Sequence, residues 1–168
     1  ERNKLIENGL VKVLYRFLGL PAEGWKREDL LFVLKSAYWS RRLTLEDVFR
    51  LESIAVNENI LEGRERWVGL AAQPALSSKA REALQALLQF EKSLIEAGSI
   101  AEFNARFLSW ASSFCLTDGS ADAGGLDAQA LEAVEAILKT AQHYYDQSTK
   151  RRFSAPFFMQ DLQQALEA

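Results

Sequence analysis

The fold is decided by residues 77–99, whose sequence is SSKAREALQALLQFEKSLIEAGS. Leucine and isoleucine recur there at three- and four-residue steps, a spacing that predicts one amphipathic helix. Ser77 or Ser78 is a good N-cap, and Gly98 is expected to end the helix in a left-handed conformation. The stretch therefore predicts a long helix with one buried face.

The same helical pattern continues on both sides of this stretch. Ser99 and Glu102 form an S-x-x-E capping box that predicts a second helix, running to about Phe114 and antiparallel to the first. The other helices are expected at about residues 4–18, 27–36, 44–54 and 127–147 and from residue 154 onward, with a loop and a short helical piece in residues 57–74.

Local signals predict how several of these helices begin. The Thr44 hydroxyl is placed to accept from the backbone near Asp47, and Leu45 is expected on the buried face that follows. Asp127 is the expected cap of the long helix near the C-terminus. Trp25 is expected to fix the start of the helix over residues 27–36.

Together these patterns predict an all-α fold, an irregular array of about six or seven helices of the inserted-subdomain type. No alternating apolar run typical of a strand is present. We expect one domain over residues 1–168, with a flexible glycine-rich loop at residues 117–126. Because the chain does not begin with methionine and its first residues already look helical, it is expected to be a piece of a longer protein. No apolar run long enough to cross a bilayer or to serve as a secretion signal is present, so we expect a cytoplasmic protein without membrane contact.

The composition argues against most self-contained catalytic sites. The 168 residues include one histidine, His143, and one cysteine, Cys115, and no phosphate-binding glycine loop. A zinc site needs about four such ligands, and a hydrolase triad cannot be assembled convincingly around His143. Cys115 is expected to fill core space. We therefore predict no catalytic residue, no metal ligand and no cofactor-binding residue in this chain.

A carboxylate-only magnesium site was the remaining metal possibility. Glu46, Asp47 and Glu52 fall within two helical turns, but acids at the start of a helix are expected for capping and for the helix dipole. A solvated helix face is the favoured interpretation of this cluster.

Two short basic-aromatic clusters are candidate contacts to single-stranded DNA. Residues 1–82 carry 14 Lys or Arg against 12 Asp or Glu, and residues 83–168 carry 6 against 11, so neither half attracts nucleic acid by a general field. Any contact must be local, through phosphate-binding cations and an exposed ring that stacks on a base. The candidate residues are Trp39, Arg41, Arg42, Lys150, Arg151 and Arg152. Core packing of Trp39 and helix-dipole compensation by residues 150–152 are the structural alternatives.

Three segments resemble a known family, the AddB-type subunits of bacterial helicase-nucleases. The first segment comprises Leu20-Pro-Ala-Glu-Gly-Trp25, Asp29-Leu-Leu31 and Leu34-Lys-Ser36; the second, Leu45-Glu-Asp-Val48 and Leu51-Glu52; the third, Ile60, Gly63, Arg64, Glu65, Arg66 and Trp67. The match covers about the first 70 residues, and the remainder agrees only in being helical.

The resemblance implies a non-catalytic helical domain, inserted in an ATP-dependent helicase-nuclease that acts in double-strand break repair and recombination. It implies DNA binding or interdomain packing, with the rest of the parent chain and an AddA-type subunit as partners. The parent chain would be the helicase and exonuclease, because this chain lacks a P-loop, a nuclease carboxylate set and clustered cysteines for an iron-sulfur centre.

Two other functions remain open from the sequence. One is a stand-alone protein-interaction module, which binds a partner through a groove lined by Phe157, Phe158 and neighbouring leucines. The other, less favoured, is an enzyme with a carboxylate-dependent metal site.

Overall fold

The computed structural model describes residues 4–36, 38, 43–117, 125–147 and 152–168, without the side chains of residues 113–117. These residues are helical without any strand, so the predicted all-α class is confirmed. A 3-10 helix, Leu5–Glu7, precedes eight α-helices. They are α1 Gly9–Gly19, α2 Arg27–Lys35, α3 Leu45–Asn57, α4 Arg64–Ala71, α5 Ser78–Ile95, α6 Ile100–Thr117, α7 Leu126–Gln147 and α8 Ala155–Glu167. The piece expected within residues 57–74 is α4, which raises the number slightly above the expected six or seven.

Helix α1 lies at the centre of the structure, where it packs against α2, α7 and α8. Its buried side chains include Leu10, Leu14 and Phe17, all fully inaccessible to solvent. The Phe17 ring contacts Trp110 of α6 at 4.5 Å and Phe90 of α5 at 5.2 Å between ring centroids. Each such side chain stabilises the fold by about 1.5–3 kcal/mol through burial. One aromatic core therefore joins the two halves of the sequence.

The first helix is interrupted where a continuous helix over residues 4–18 was expected. Asn8 has an extended backbone, with a ψ of 136°, and its side chain accepts from the backbone N–H groups of Leu10 and Val11. An asparagine that caps in this way starts a helix and cannot lie within one. The prediction missed that cap because apolar periodicity runs through it.

Two predicted helix starts are confirmed. Thr44 and Asp47 form a reciprocal capping box, and Ser77 caps α5 through the backbone N–H of Ala80. The predicted burial of Leu45 is wrong, because its side chain is 60 % exposed. Val48 and Leu51 form the buried face of α3 as expected.

The connection between α5 and α6 differs in detail from its prediction. Gly98 does not adopt a positive φ; its N–H donates to the Glu102 carboxylate at 3.0 Å. Ser99 caps α6 through the N–H of Glu102 at 3.2 Å, so Glu102 reaches Gly98 rather than closing the box on Ser99. Arg106 donates to the carbonyl of Ser93, a contact that fits the expected antiparallel arrangement.

Asp127 was expected to cap α7 but has another role. It lies in the first turn of the helix, which starts at Leu126, and is 6 % exposed. Its carboxylate accepts from Tyr38 Oη at 3.0 Å and from Asn8 Nδ2 at 3.2 Å. The aspartate thus ties α7 to the start of α1, a contact that local sequence does not indicate.

None of the helices in the described ranges is both long and apolar enough to cross a membrane. The predicted loop at residues 117–126 falls almost wholly outside the described residues, as does the side chain of Cys115.

Candidate functional site

Residues of the first and third segments that carry the family resemblance meet at a junction between the turn before α2 and the start of α4. Trp25, 2 % exposed, has a φ of 56°, in the left-handed region. Its N–H donates to the carbonyl of Leu20 at 2.8 Å, and its own carbonyl accepts from the indole N–H of Trp67 at 2.8 Å. These two bonds hold a conformation that a non-glycine residue rarely adopts. Trp25 therefore fixes the turn before α2, as expected.

Gly63 forms the second side of this junction. Its φ of 105° is outside the range that other residues readily adopt, and its N–H donates to the carbonyl of Gly24 at 2.8 Å. Next to it, the N–H of Arg27 donates to the carbonyl of Leu61 at 2.8 Å. The first and third segments are thus joined through their main chains.

Arg64 connects the junction to α5. Its Nε lies 2.9 Å from the carboxylate of Glu91, which is 4 % exposed, and another guanidinium nitrogen donates to the carbonyl of Leu88 at 3.1 Å. The guanidinium also lies 5.8 Å from the ring centroid of Trp25. A buried carboxylate requires such a partner, because its desolvation is costly.

The second segment joins the first through an ion pair and reaches α5 through a hydrogen bond. Lys35 Nζ lies 3.0 Å from Glu52, and Ser77 Oγ donates to Asp47 at 3.0 Å. The hydrogen bond from Thr44, helped by that from Ser77, holds the pKa of Asp47 below its usual value.

The three carboxylates considered for magnesium therefore have separate partners. Asp47 is bound by Thr44 and Ser77, Glu52 by Lys35, and Glu46 by Arg50 at 3.0 Å. Among the described residues, no group of three or more His, Cys, Asp or Glu side chains converges in a way that could hold a metal ion.

Most of the candidate DNA-binding residues lie outside the described residues: Trp39, Arg41, Arg42, Lys150 and Arg151. Arg152 is described and is exposed. The described residues therefore do not tell whether the two clusters lie close together.

The described aromatic neighbours of these clusters are engaged inside the fold. Tyr38 bonds to Asp127, and the half-buried ring of Phe153 contacts Phe158 at 5.7 Å and Tyr145 at 6.2 Å between centroids. Base stacking was expected of an exposed ring in each cluster, and Phe153 is not such a ring. DNA contact at the second cluster would therefore depend on its cations.

Two exposed rings on α2 and α3 were not singled out by the sequence. Phe32 of α2 is 39 % exposed and Phe49 of α3 is 54 % exposed. The guanidinium of Arg16 lies 4.8 Å from the Phe32 centroid, and Lys35 Nζ lies 5.5 Å from that of Phe49. Each ring therefore already has a cation of its own chain nearby.

A carboxyl pair lies beside α2. Asp29, 6 % exposed, accepts from Arg16 at 2.7 Å, and a hydrogen bond with Asp29, helped by burial, raises the pKa of Glu23 above its usual value. A raised pKa of this kind follows from the neighbouring carboxyl group and from burial, and it needs no catalytic role.

An open apolar groove separates α7 from α8 and has a volume of about 620 Å³. Its lining residues are Ala136, Ile137, Thr140, Ala141, Tyr144, Tyr145, Phe158, Asp161, Leu162 and Ala165. The sequence had indicated a groove at Phe158 and nearby leucines; Phe157, also expected there, is 69 % exposed but does not line it. The wall contributed by α7 was missed, although paired positions four residues apart, 136–137, 140–141 and 144–145, were a usable signal.

Comparison of the chain with protein-family models, with curated proteins and with solved structures gave no match.

Proposed function

We propose that this chain is a non-catalytic helical domain of an AddB-like subunit of an ATP-dependent helicase-nuclease, acting in double-strand break repair and recombination. The proposal starts from the resemblance of three segments in the first 70 residues. Its partners would be the remaining domains of the parent chain, an AddA-type subunit and DNA, in the cytoplasm.

The observation that carries the proposal is the contact between the first and third segments. Gly24 binds Gly63 and Trp25 binds Trp67 across about 40 residues of sequence. The second segment reaches the first through the ion pair of Lys35 with Glu52. The proposal requires these segments to belong to one local architecture, and these contacts are consistent with that requirement.

The chemistry of the junction supports a framework role within the parent protein. Arg64 and Glu91 bond to each other, and Arg64 also donates to the backbone carbonyl of Leu88. Exposed apolar side chains elsewhere, including Phe49 and Leu61, suit contacts between domains. DNA contact would be an additional role of the cations around Arg152.

Two experiments test the proposal. The coding sequence on either side of these residues is expected to hold a phosphate-binding loop or its remnant before them and a nuclease motif after them. In a salt titration with fluorescent single-stranded DNA, alanine at Arg41, Arg42, Arg151 and Arg152 should reduce the slope of log K against log salt by up to about 3. Wild-type binding by that variant would remove the site assignment.

A second function is favoured by a specific observation, the groove between α7 and α8. Its lining is almost entirely apolar, and its walls are two helices, as in surfaces that bind an amphipathic helix. The chain would then be a protein-interaction module, either alone or within a larger protein. Coding sequence without any helicase or nuclease motif around it would favour this function over the first.

A further inference from the structure

The groove between α7 and α8 has the dimensions of a short helix. From Ala136 to Tyr145 the wall on α7 extends about 14 Å, and from Phe158 to Ala165 the wall on α8 extends about 10 Å. The Tyr145 and Phe158 rings are 5.8 Å apart at one end, where α7 leads into α8. The groove therefore offers two to three helical turns of apolar contact.

The lining also permits close approach of another backbone. Ala136 and Ala165 are exposed and lie on opposite walls, and Leu162 is buried between them. Small residues at these positions leave room for larger apolar side chains of an occupant at i, i+3, i+4 and i+7 spacing.

The charged residues that the structure describes along the groove walls are mainly acidic. Asp161 is the one carboxylate in the lining, is exposed, and has no ion-pair partner in the described part of the chain. Glu132, also exposed, lies one turn before Ala136 on the same stripe of α7. Lys139 of α7 is paired with Glu135 at 3.1 Å. A lysine or arginine of an occupant would therefore be complementary to Asp161.

We propose that this groove binds an amphipathic α-helix of a partner protein, which places apolar side chains along the floor and a lysine or arginine opposite Asp161. The inference rests on the second function, protein binding through the groove, and does not depend on the helicase-nuclease assignment. If the DNA experiments fail, the inference about the groove is unaffected. If the groove does not bind a helix, the helicase-nuclease proposal is likewise unaffected.

The test uses two labelled helical peptides of fourteen residues, about four turns. Both carry leucine at the first, fourth, eighth and eleventh positions; one has lysine at the flanking positions and the other glutamate. Fluorescence anisotropy should give a dissociation constant on the order of 10–100 µM for the lysine peptide. The glutamate peptide should bind at least about fivefold more weakly.

Matched variants locate the binding. Ala165→Glu should weaken the lysine peptide at least about tenfold by placing a charge in the groove, whereas Gln164→Glu, an exposed neighbour outside the lining, should not. Ala136→Glu obstructs the opposite wall, so the test does not depend on the folding of one variant. Asp161→Lys should reduce the preference for the lysine peptide about threefold to tenfold.

The proposal is overturned if the lysine peptide does not bind at 1 mM, if both peptides bind equally, or if Ala165→Glu and Ala136→Glu leave binding intact. Self-association of the chain that Ala165→Glu abolishes, seen by analytical ultracentrifugation, would also overturn it, because the occupant would then be a second copy.

Discussion

Replacement of Arg64 by methionine should show how much its pair with the buried Glu91 stabilises the fold. Arg64→Met keeps most of the aliphatic stem and removes the guanidinium, which leaves the Glu91 carboxylate, 4 % exposed, without a described partner and removes the second bond to the Leu88 carbonyl. Truncation of one member of a buried ion pair costs about 3–5 kcal/mol. Because the side chain of Arg64 is 31 % exposed, we expect a smaller loss, about 2–3 kcal/mol.

The expected loss in this chain corresponds to a fall in Tm of about 4–12 °C. Urea unfolding followed by circular dichroism should show a lower midpoint with an unchanged slope. The double variant Arg64→Met/Glu91→Leu should recover to within about 1 kcal/mol of wild type, because no buried charge remains unpaired. Arg50→Met is the matched control: its pair with Glu46 is exposed, and its loss should cost no more than about 0.5 kcal/mol.

Two results would refute this reasoning. Equal effects of Arg64→Met and Arg50→Met would mean that burial of Glu91 does not matter. A double variant as unstable as the single one would mean that the arginine acts through something other than the carboxylate.

Three further predictions concern the same part of the fold. Gly63→Ala should destabilise the fold by about 1–3 kcal/mol, because Gly63 has a positive φ that alanine rarely adopts. Gly69 is helical and has open space around it, so Gly69→Ala should stabilise the fold by about 0.5–1 kcal/mol. Thermal unfolding of the two variants distinguishes these effects. Trp67→Phe should cost about 2–4 kcal/mol in urea unfolding, since it removes buried volume and leaves the Trp25 carbonyl unpaired; a loss below about 0.5 kcal/mol would contradict the junction. Because the pKa of Asp47 is lower in the folded state, its carboxylate stabilises the fold above the unfolded value near 3.8, and this stabilisation is lost as pH falls through the folded value. The difference in unfolding free energy between wild type and Asp47→Asn should therefore shrink below about pH 4. A difference that does not change between about pH 6 and about pH 2 would contradict this prediction.

Local signals predicted much of the helical arrangement. Thr44 with Asp47, and Ser77, start their helices as expected, because an N-cap satisfies backbone N–H groups within three residues of itself. Such contacts depend on neighbours in sequence, so the sequence is sufficient to predict them.

Some errors are local, such as the missed cap at Asn8 and the conformation of Gly98, and others involve contacts between distant residues. Aspartate is a common N-cap residue, so Asp127 was expected to cap α7. Its carboxylate instead binds Asn8 and Tyr38, which are far away in sequence. Leu45 fits the periodicity of α3 but lies where no other helix covers it. The spacing of apolar residues indicates which face of a helix is apolar. It does not indicate which other helix packs against that face.

The candidate sites, too, were predicted only in part. The likeness of three segments pointed to residues that matter for the architecture, yet their meeting at Trp25, Gly63 and Trp67 required the structure. Only half of the groove was predicted, from Phe158, and its wall on α7 was missed. Leucine and alanine on a helix look alike whether they face a neighbour or an open groove.

The central claim is that this helical chain serves as a framework within an ATP-dependent DNA-processing enzyme. The most direct measurement is degradation of linear duplex DNA by the intact protein together with an AddA-type subunit, its proposed partner, with and without ATP, for wild type and for Trp67→Ala. The account predicts ATP-dependent degradation by wild type and its loss in Trp67→Ala through a destabilised junction, with Arg50→Met fully active. No ATP-dependent degradation by the intact wild-type complex would contradict the account.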